Sequence, residues 1–329
     1  MRIAITGGTG FVGGHLATEL ARRGHEALVV SRGVDHRPWA QEVLAAAGVE
    51  ARRAATSDLD GLVEAFEGCD AVAHCAGINR EIGAQTYEAV HIQGTATVVR
   101  AAELAGVGRL AYVSFLRARP ACGSPYHESK WEAEQIVRTS TLDWTIIKPG
   151  MMFGRGDHML DHLSKALCTF PVFVGIGARR VRPLAVQDAV RVLVAAVTDD
   201  ALRGATVGLV GPTELGFDDA ARLVASVIGR RRPFVVAPLA FHRLLAWVAE
   251  RTMTVPLVSS AQVRILSEGV TTPVLAGDGL TDPALVPSTP FDAASISAGL
   301  PELGRFGRDD LALPVLCSRP LRFAATGPM

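Results

Sequence analysis

Tyr126 and Lys130 stand four residues apart in a segment with helical spacing, which puts a phenol and an ammonium on one helix face. A phenol titrates near about 10 in water, and a cation beside it favours the phenolate, drawing its titration toward neutral pH. Such a pair can pass a proton to or from a substrate oxygen while a nicotinamide exchanges hydride. The chain has only three tyrosines and three lysines in 329 residues, so chance rarely spaces one of each this way.

A second constellation opens the chain. Thr6-Gly7-Gly8-Thr9-Gly10-Phe11-Val12-Gly13 carries glycines at Gly7, Gly10 and Gly13, directly after an apolar strand-like run and before an amphipathic one. Glycine permits backbone angles closed to other residues and lets the backbone approach a pyrophosphate, whose charge the free N–H groups of a helix start then meet. Twenty residues on, the run 26–31 ends at Ser31-Arg32, with His36 and Arg37 following. An acidic residue there would bond a ribose 2′-hydroxyl and repel a 2′-phosphate; a hydroxyl and a planar guanidinium fork suit the phosphate instead. The expected cofactor is therefore NADP(H), held by Gly7, Thr9, Gly10, Phe11, Val12, Gly13, Ser31 and Arg32.

The elements that must position these groups follow a regular rhythm. Strand-like runs at 2–6, 26–31, 49–54, 70–75, 109–114 and 143–148 alternate with helical runs at 11–23, 37–47, 59–67, 86–105 and 126–139. That alternation predicts an α/β fold, a doubly wound parallel sheet of the Rossmann type with right-handed crossovers. Residues 1–150 read as the dinucleotide-binding core. Residues 151–275, with a helix at 183–197, a strand at 206–210 and helices near 217–228 and 238–251, read as a smaller substrate-side region interleaved with it. Residues 276–329, rich in Thr, Pro, Gly, Ser and Ala, read as a loosely packed tail.

Composition narrows the function classes. Basic and acidic residues balance at 33 each, which argues against nucleic acid as a partner. Five scattered cysteines without a CxxC pair fit a reduced compartment and no zinc site. His158 and His162 beside Asp157 and Asp161 have metal-like spacing but read as a polar loop entering a helix, so no metal is expected. The N-terminus enters a strand at once and no apolar run reaches membrane-span length, so the expected location is cytoplasmic. The stretch 234–258 is apolar enough to leave a peripheral membrane contact open.

The glycine turn together with Tyr126-x-x-x-Lys130 resembles the short-chain dehydrogenase/reductase superfamily, in its extended and atypical branches. Tyr112-Val113-Ser114-Phe115-Leu116 and the short gap to Tyr126 are most similar to the NAD(P)H-binding group that contains the nucleotide-binding accessory subunit of respiratory complex I. The resemblance implies that Asp58 and Leu59 contact adenine and that Cys75, Ala76 and Gly77 line the cofactor, with Ser114. It also implies that Pro149, Gly150, Met151 and Met152, within Lys148–Gly154, pass the nicotinamide end, and that Arg182–Asp188 is a substrate-side motif. Two positions depart from the pattern. Phe115 stands where a carbonyl-polarising Ser or Thr is usual, leaving Ser124 as the substitute, and His91 stands where an asparagine is common.

The implied activity is NADP(H)-dependent carbonyl reduction or alcohol oxidation, with Tyr126 as acid/base, Lys130 lowering its pKa and Ser124 orienting the carbonyl. The alternatives are a non-catalytic NADP(H)-binding sensor or assembly protein, and a nucleotide-sugar epimerase or dehydratase. Met151, Met152, Phe153 and Phe173 would suit an apolar or aromatic small-molecule substrate. Arg179, Arg180 and Arg182 read either as an anion subsite or as a solvated loop. Helices 86–105 and 126–139 could pair in a homodimer.

Overall fold

The computed structural model describes residues 1–33, 44–45, 47–177, 179–253, 258–268, 280, 282–307 and 310. Six strands, β1 (Arg2–Thr6), β2 (Glu26–Val30), β3 (Glu50–Arg52), β4 (Ala71–His74), β5 (Arg109–Val113) and β6 (Asp143–Pro149), join Thr206–Leu209 in one sheet. Their spatial order is Thr206–Leu209, β6, β5, β4, β1, β2, β3, and every pairing is parallel. Sheet growth reverses between β1 and β4, the switch point at whose carboxyl edge such sheets bind ligands. Register brings the ends level there: Thr6 pairs with Val30 and His74, and His74 with Tyr112.

Side chains alternate along each strand, so one sheet fills two cores. Ile3, Ile5 and Val29 pack with helices Phe11–Arg22 and Val186–Thr198 on one face. Ala4, Leu28, Val72, Leu110 and Tyr112 pack with helices Leu59–Phe66, Gly94–Leu104 and Pro125–Arg138 on the other. A third apolar cluster joins residues from the chain after 150: Phe153, Leu160, Ala220, Val224, Phe291 and Ile296. Because Thr206–Leu209 completes the main sheet and Val186–Thr198 covers it, the chain after 150 returns to the core.

The expectation of a loosely packed tail is corrected for residues 282–307. Leu285, Phe291 and Ile296 are buried, and the N–H groups of Ser288 and Thr289 donate to the buried Asp188 carboxylate at 2.9 and 2.8 Å. Small, turn-forming residues hid this contribution, since three apolar anchors and a run of backbone donors leave no periodic signal. The helix expected at 37–47 falls mainly outside the described residues, as do His36 and Arg37.

Candidate active site

The glycine turn is built by close approach. Gly7 takes a left-handed φ of +71°, and a Cβ there would stand 2.7 Å from the Ala76 backbone on the neighbouring strand end. A Cβ on Gly13 would stand 2.5 Å from the Gly7 carbonyl oxygen, so neither position tolerates a side chain without moving backbone. Helix Phe11–Arg22 starts at Gly10 with no side-chain cap and no acidic residue in its first turn. Its first N–H groups therefore have no capping side chain to satisfy them, and the positive end of the helix dipole meets no carboxylate. This cradle fits a dinucleotide pyrophosphate.

At the end of β2 the Thr9 and Ser31 hydroxyls bond each other at 2.7 Å, tying the turn to the strand that would read the ribose. Arg32 is exposed beside them and donates to Gln85 at 2.8 Å. Asp58 caps helix Leu59–Phe66, accepting from the Gly61 N–H at 3.1 Å, which commits its carboxylate to the helix start. Met151 and Gly150 are held by backbone bonds to Leu184 and Leu209, and the Pro149 carbonyl accepts from the Leu116 N–H at 2.9 Å. The segment 149–152 thus spans from the sheet to the loop after β5.

Lys130 reaches across from helix Pro125–Arg138 to the strand ends. Its ammonium donates to the Val113 carbonyl at 3.0 Å and lies 5.2 Å over the Tyr112 ring. A Cβ on Gly77 would be 3.1 Å from Lys130 Nζ and 3.6 Å from His91 Nε2, so Gly77 leaves the space that both side chains border. Burial lowers Lys130 to about 8, and pushes the neighbouring Cys75 thiol up to about 12. Cys75 is consequently a neutral filler.

His91 sits in a π-helical turn, Glu88–Gln93, that leads into helix Gly94–Leu104. Its Nε2 accepts from the Ile78 N–H at 3.1 Å, which fixes the proton on Nδ1 for donation to Ser129 Oγ at 2.9 Å. Burial, reinforced by Lys130, holds His91 down at about 2, so it is neutral across the physiological range. His74, at the end of β4, is likewise neutral, lowered to about 3 by burial, and bridges Thr6 and Thr95 at 2.6 and 3.0 Å. Sequence reading missed His74 and Ser129, because a buried histidine or serine carries no spacing signature.

Tyr126 lies in an aromatic box. Phe115, His127, Tyr87 and His91 stand edge-on to its ring at 5.4, 5.6, 5.7 and 5.8 Å between centroids. The expected lowering of its pKa by Lys130 is corrected: burial, with Tyr87 adding to it, raises Tyr126 above the ordinary phenol value. Lys130 is turned to the Val113 carbonyl, and four rings desolvate the phenolate. Tyr126 is therefore a protonated phenol.

The two serines are also committed. Ser124 Oγ bonds His127 Nδ1 at 2.6 Å, so the substitute carbonyl donor already has a partner. The Ser114 hydroxyl donates to Glu134, which stands one turn beyond Lys130 on the same helix and is paired with Lys148 at 2.8 Å in a buried ion pair. The Ser114 N–H is bonded to the Ile147 carbonyl at 2.8 Å. The loop after β5 is clamped from outside, where Glu268 of helix Ser260–Glu268 accepts from Arg117 and Arg119, both at 3.0 Å.

Of the residues expected to form an apolar sub-pocket, Met151, Met152, Phe153 and Phe173, the two phenylalanines share the third apolar cluster. Phe153 is buried edge-on against Phe291 and Phe173 lies tilted against Phe234, each pair at 4.9 Å, while Met152 packs on the sheet core. Arg180 pairs with Glu214 at 2.9 Å and Arg182 donates to the Gly211 carbonyl, so these arginines tie loops together. Among the described residues no group of three or more His, Cys, Asp or Glu side chains is arranged to hold a metal ion.

Residues 7–162 match a protein-family model described as NAD(P)H-binding. The N-terminal half of this chain is similar to NAD(P)H-binding domains. An uncharacterised Mycobacterium tuberculosis protein is 30% identical over 234 residues, 70% of this chain and 23% of that protein. The chain thus spans about a quarter of the length of its mycobacterial relatives. The 40 kDa subunit of NADH-ubiquinone oxidoreductase from Neurospora crassa is 24% identical over 260 residues, 79% of this chain and 68% of the subunit. A ceramide reductase from Caulobacter vibrioides is 31% identical over 197 residues, 59% of this chain and 60% of the reductase. Among solved structures, a Bacillus cereus UDP-glucuronic acid 4-epimerase superposes with a TM-score of 0.65 over 91% of this chain and 98% of its own, at 16% identity. That likeness concerns the fold.

Proposed function

We propose that this chain is an NADP(H)-dependent oxidoreductase that reduces a carbonyl, with Tyr126 as the proton donor. The observation that carries this reading is the convergence of Lys130, His91 and Gly77 at the strand ends beside the glycine turn, with Tyr126 on the same helix as Lys130. The glycine cradle would hold the pyrophosphate, and Ser31 and Arg32 the 2′-phosphate end. When bound, the reduced nicotinamide supplies the hydride that the carbonyl carbon accepts. Tyr126, kept protonated by burial, gives its phenolic proton to the carbonyl oxygen as the C=O π bond breaks. Lys130, cationic below about 8 and directed at the strand end by its bond to the Val113 carbonyl, would hold the nicotinamide ribose. His91 cannot serve as a base at neutral pH and instead orients Ser129, whose hydroxyl donates to the Tyr126 carbonyl at 3.1 Å.

Phe115 brings no hydroxyl to the carbonyl, and the loss of one such donor costs about 2.7–4 kcal/mol of transition-state stabilisation. Slow turnover is the expected consequence. The same residue favours a second reading, a non-catalytic NADP(H)-binding protein, in which Tyr126 and Lys130 serve to bind the ribose. The epimerase alternative rests on likeness of fold alone and is not adopted.

The test is a titration of stripped protein with NADPH and NADH, then NADPH oxidation against a panel of ketones, aldehydes and quinones. Turnover that Tyr126→Phe abolishes, with NADPH affinity changed less than about threefold, supports the reductase. Turnover unchanged in Tyr126→Phe refutes the acid role, and tight binding without turnover on any panel member selects the second reading.

A further inference from the structure

Helix Leu239–Thr252 uses only one of its faces to hold itself in the fold. His242, Ala246 and Ala249 are buried, and His242 Nε2 lies 3.0 Å from the Gly175 carbonyl. The opposite face carries Phe241, Leu244, Trp247 and Val248 at 43%, 61%, 52% and 40% exposure. Their spacing of three and four residues makes one continuous stripe along the helix. The strand residues Val235 and Val236, just before the helix, are exposed as well. Single exposed apolar residues are common, but a helical stripe of four, preceded by a strand with two exposed valines, is the kind of surface that marks an interaction site.

The charges around the stripe say what covers it. Between 230 and 251 the chain places Arg230, Arg231, Arg232, Arg243 and Arg251 against one acidic residue, Glu250, although the protein as a whole is neutral. Glu250 is turned inward, accepting from the Ser260 N–H and hydroxyl at 2.7 and 2.8 Å. Arg230, Arg231, Arg243 and Arg251 are exposed, and the Arg251 guanidinium lies 4.0 Å over the Trp247 ring. A protein partner with a neutral rim would have no use for this excess. An aromatic-rich apolar face flanked by arginines matches the boundary between acyl chains and anionic headgroups, where Trp and Phe seat and guanidinium groups meet phosphate.

We infer that helix Leu239–Thr252, with the strand before it, docks this protein on the surface of a bilayer that contains anionic phospholipid. The contact is peripheral: no described helix is long and apolar enough to cross a membrane. It is independent of the reductase reading, since none of its residues belongs to the cofactor cradle or the Tyr126 box.

Flotation of the full chain with phosphatidylcholine vesicles, with and without phosphatidylglycerol, tests it. The protein should float with the phosphatidylglycerol vesicles, bind neutral vesicles more weakly, and be released by salt. Leu244→Glu with Trp247→Glu should lower partitioning at least tenfold while leaving the far-ultraviolet circular dichroism and the cooperative unfolding of the chain, the reporters of folding, unchanged. Arg230→Glu, Arg231→Glu and Arg243→Glu should each cost at least about fivefold at low salt. In the unaltered protein, brominated lipid should quench Trp247 fluorescence, which needs no variant to stay folded. Absence of flotation with either vesicle, or flotation undiminished in the double variant, overturns the inference. So does a concentration-dependent dimer that the double variant abolishes, because the face would then belong to a second copy.

Discussion

Replacing Lys130 with methionine should make the folded protein more stable while removing its function. Burial takes Lys130 from the ordinary 10.5 to about 8, and each tenfold in proton affinity is about 1.4 kcal/mol. The charged lysine therefore costs the fold on the order of 3 kcal/mol at neutral pH. Methionine fills nearly the same space without charge but leaves the Val113 carbonyl, now bonded at 3.0 Å, without its donor, a loss of about 1 kcal/mol. The net gain for Lys130→Met is about 2 kcal/mol near pH 7.

The pH dependence gives this argument its sharper test. Below about 8 the lysine is protonated both folded and unfolded, and the full penalty applies. Between about 8 and 10.5 the unfolded chain keeps a proton that the folded chain has released, so the stability of the unaltered protein rises with pH. Above that window the amine is neutral in both states and the advantage of methionine disappears. Urea unfolding of both proteins without cofactor, followed by circular dichroism at several pH values across this window, measures the difference. A methionine variant less stable at neutral pH, or a difference that does not shrink toward pH 10.5, would refute the burial argument for Lys130.

Two further outcomes follow from the site. Arg32→Glu should weaken NADPH at least tenfold more than NADH in a fluorescence titration, because a carboxylate would face the 2′-phosphate; equal losses would remove Arg32 from that role. Glu134→Gln strands Lys148, whose side chain is 5% exposed, and should cost about 3–5 kcal/mol in urea unfolding. Glu134→Leu combined with Lys148→Met should recover most of that loss, and a double variant as weak as the single one would contradict the pairing.

The sequence by itself determined the sheet, the turn and the catalytic candidates, because each is local. Strand alternation follows from backbone period, Gly7 and Gly13 from sterics within a few residues, and Tyr126 with Lys130 from helical spacing. The direction in which Lys130 points, the protonation of Tyr126 and the partners of Ser114 and Ser124 were decided only in three dimensions. Each depends on groups distant in the chain: Val113 for Lys130, Phe115, Tyr87 and His91 around Tyr126, Glu134 for Ser114. Phe115 was legible as a departure from a pattern, but its ring against Tyr126 was not. Likewise the apolar run from 234 to 258 was visible as composition, whereas its division into a buried face and an exposed stripe depended on what the rest of the chain packs against. Proton affinity and exposure are sums over neighbours in space, and a sequence names only neighbours along the chain.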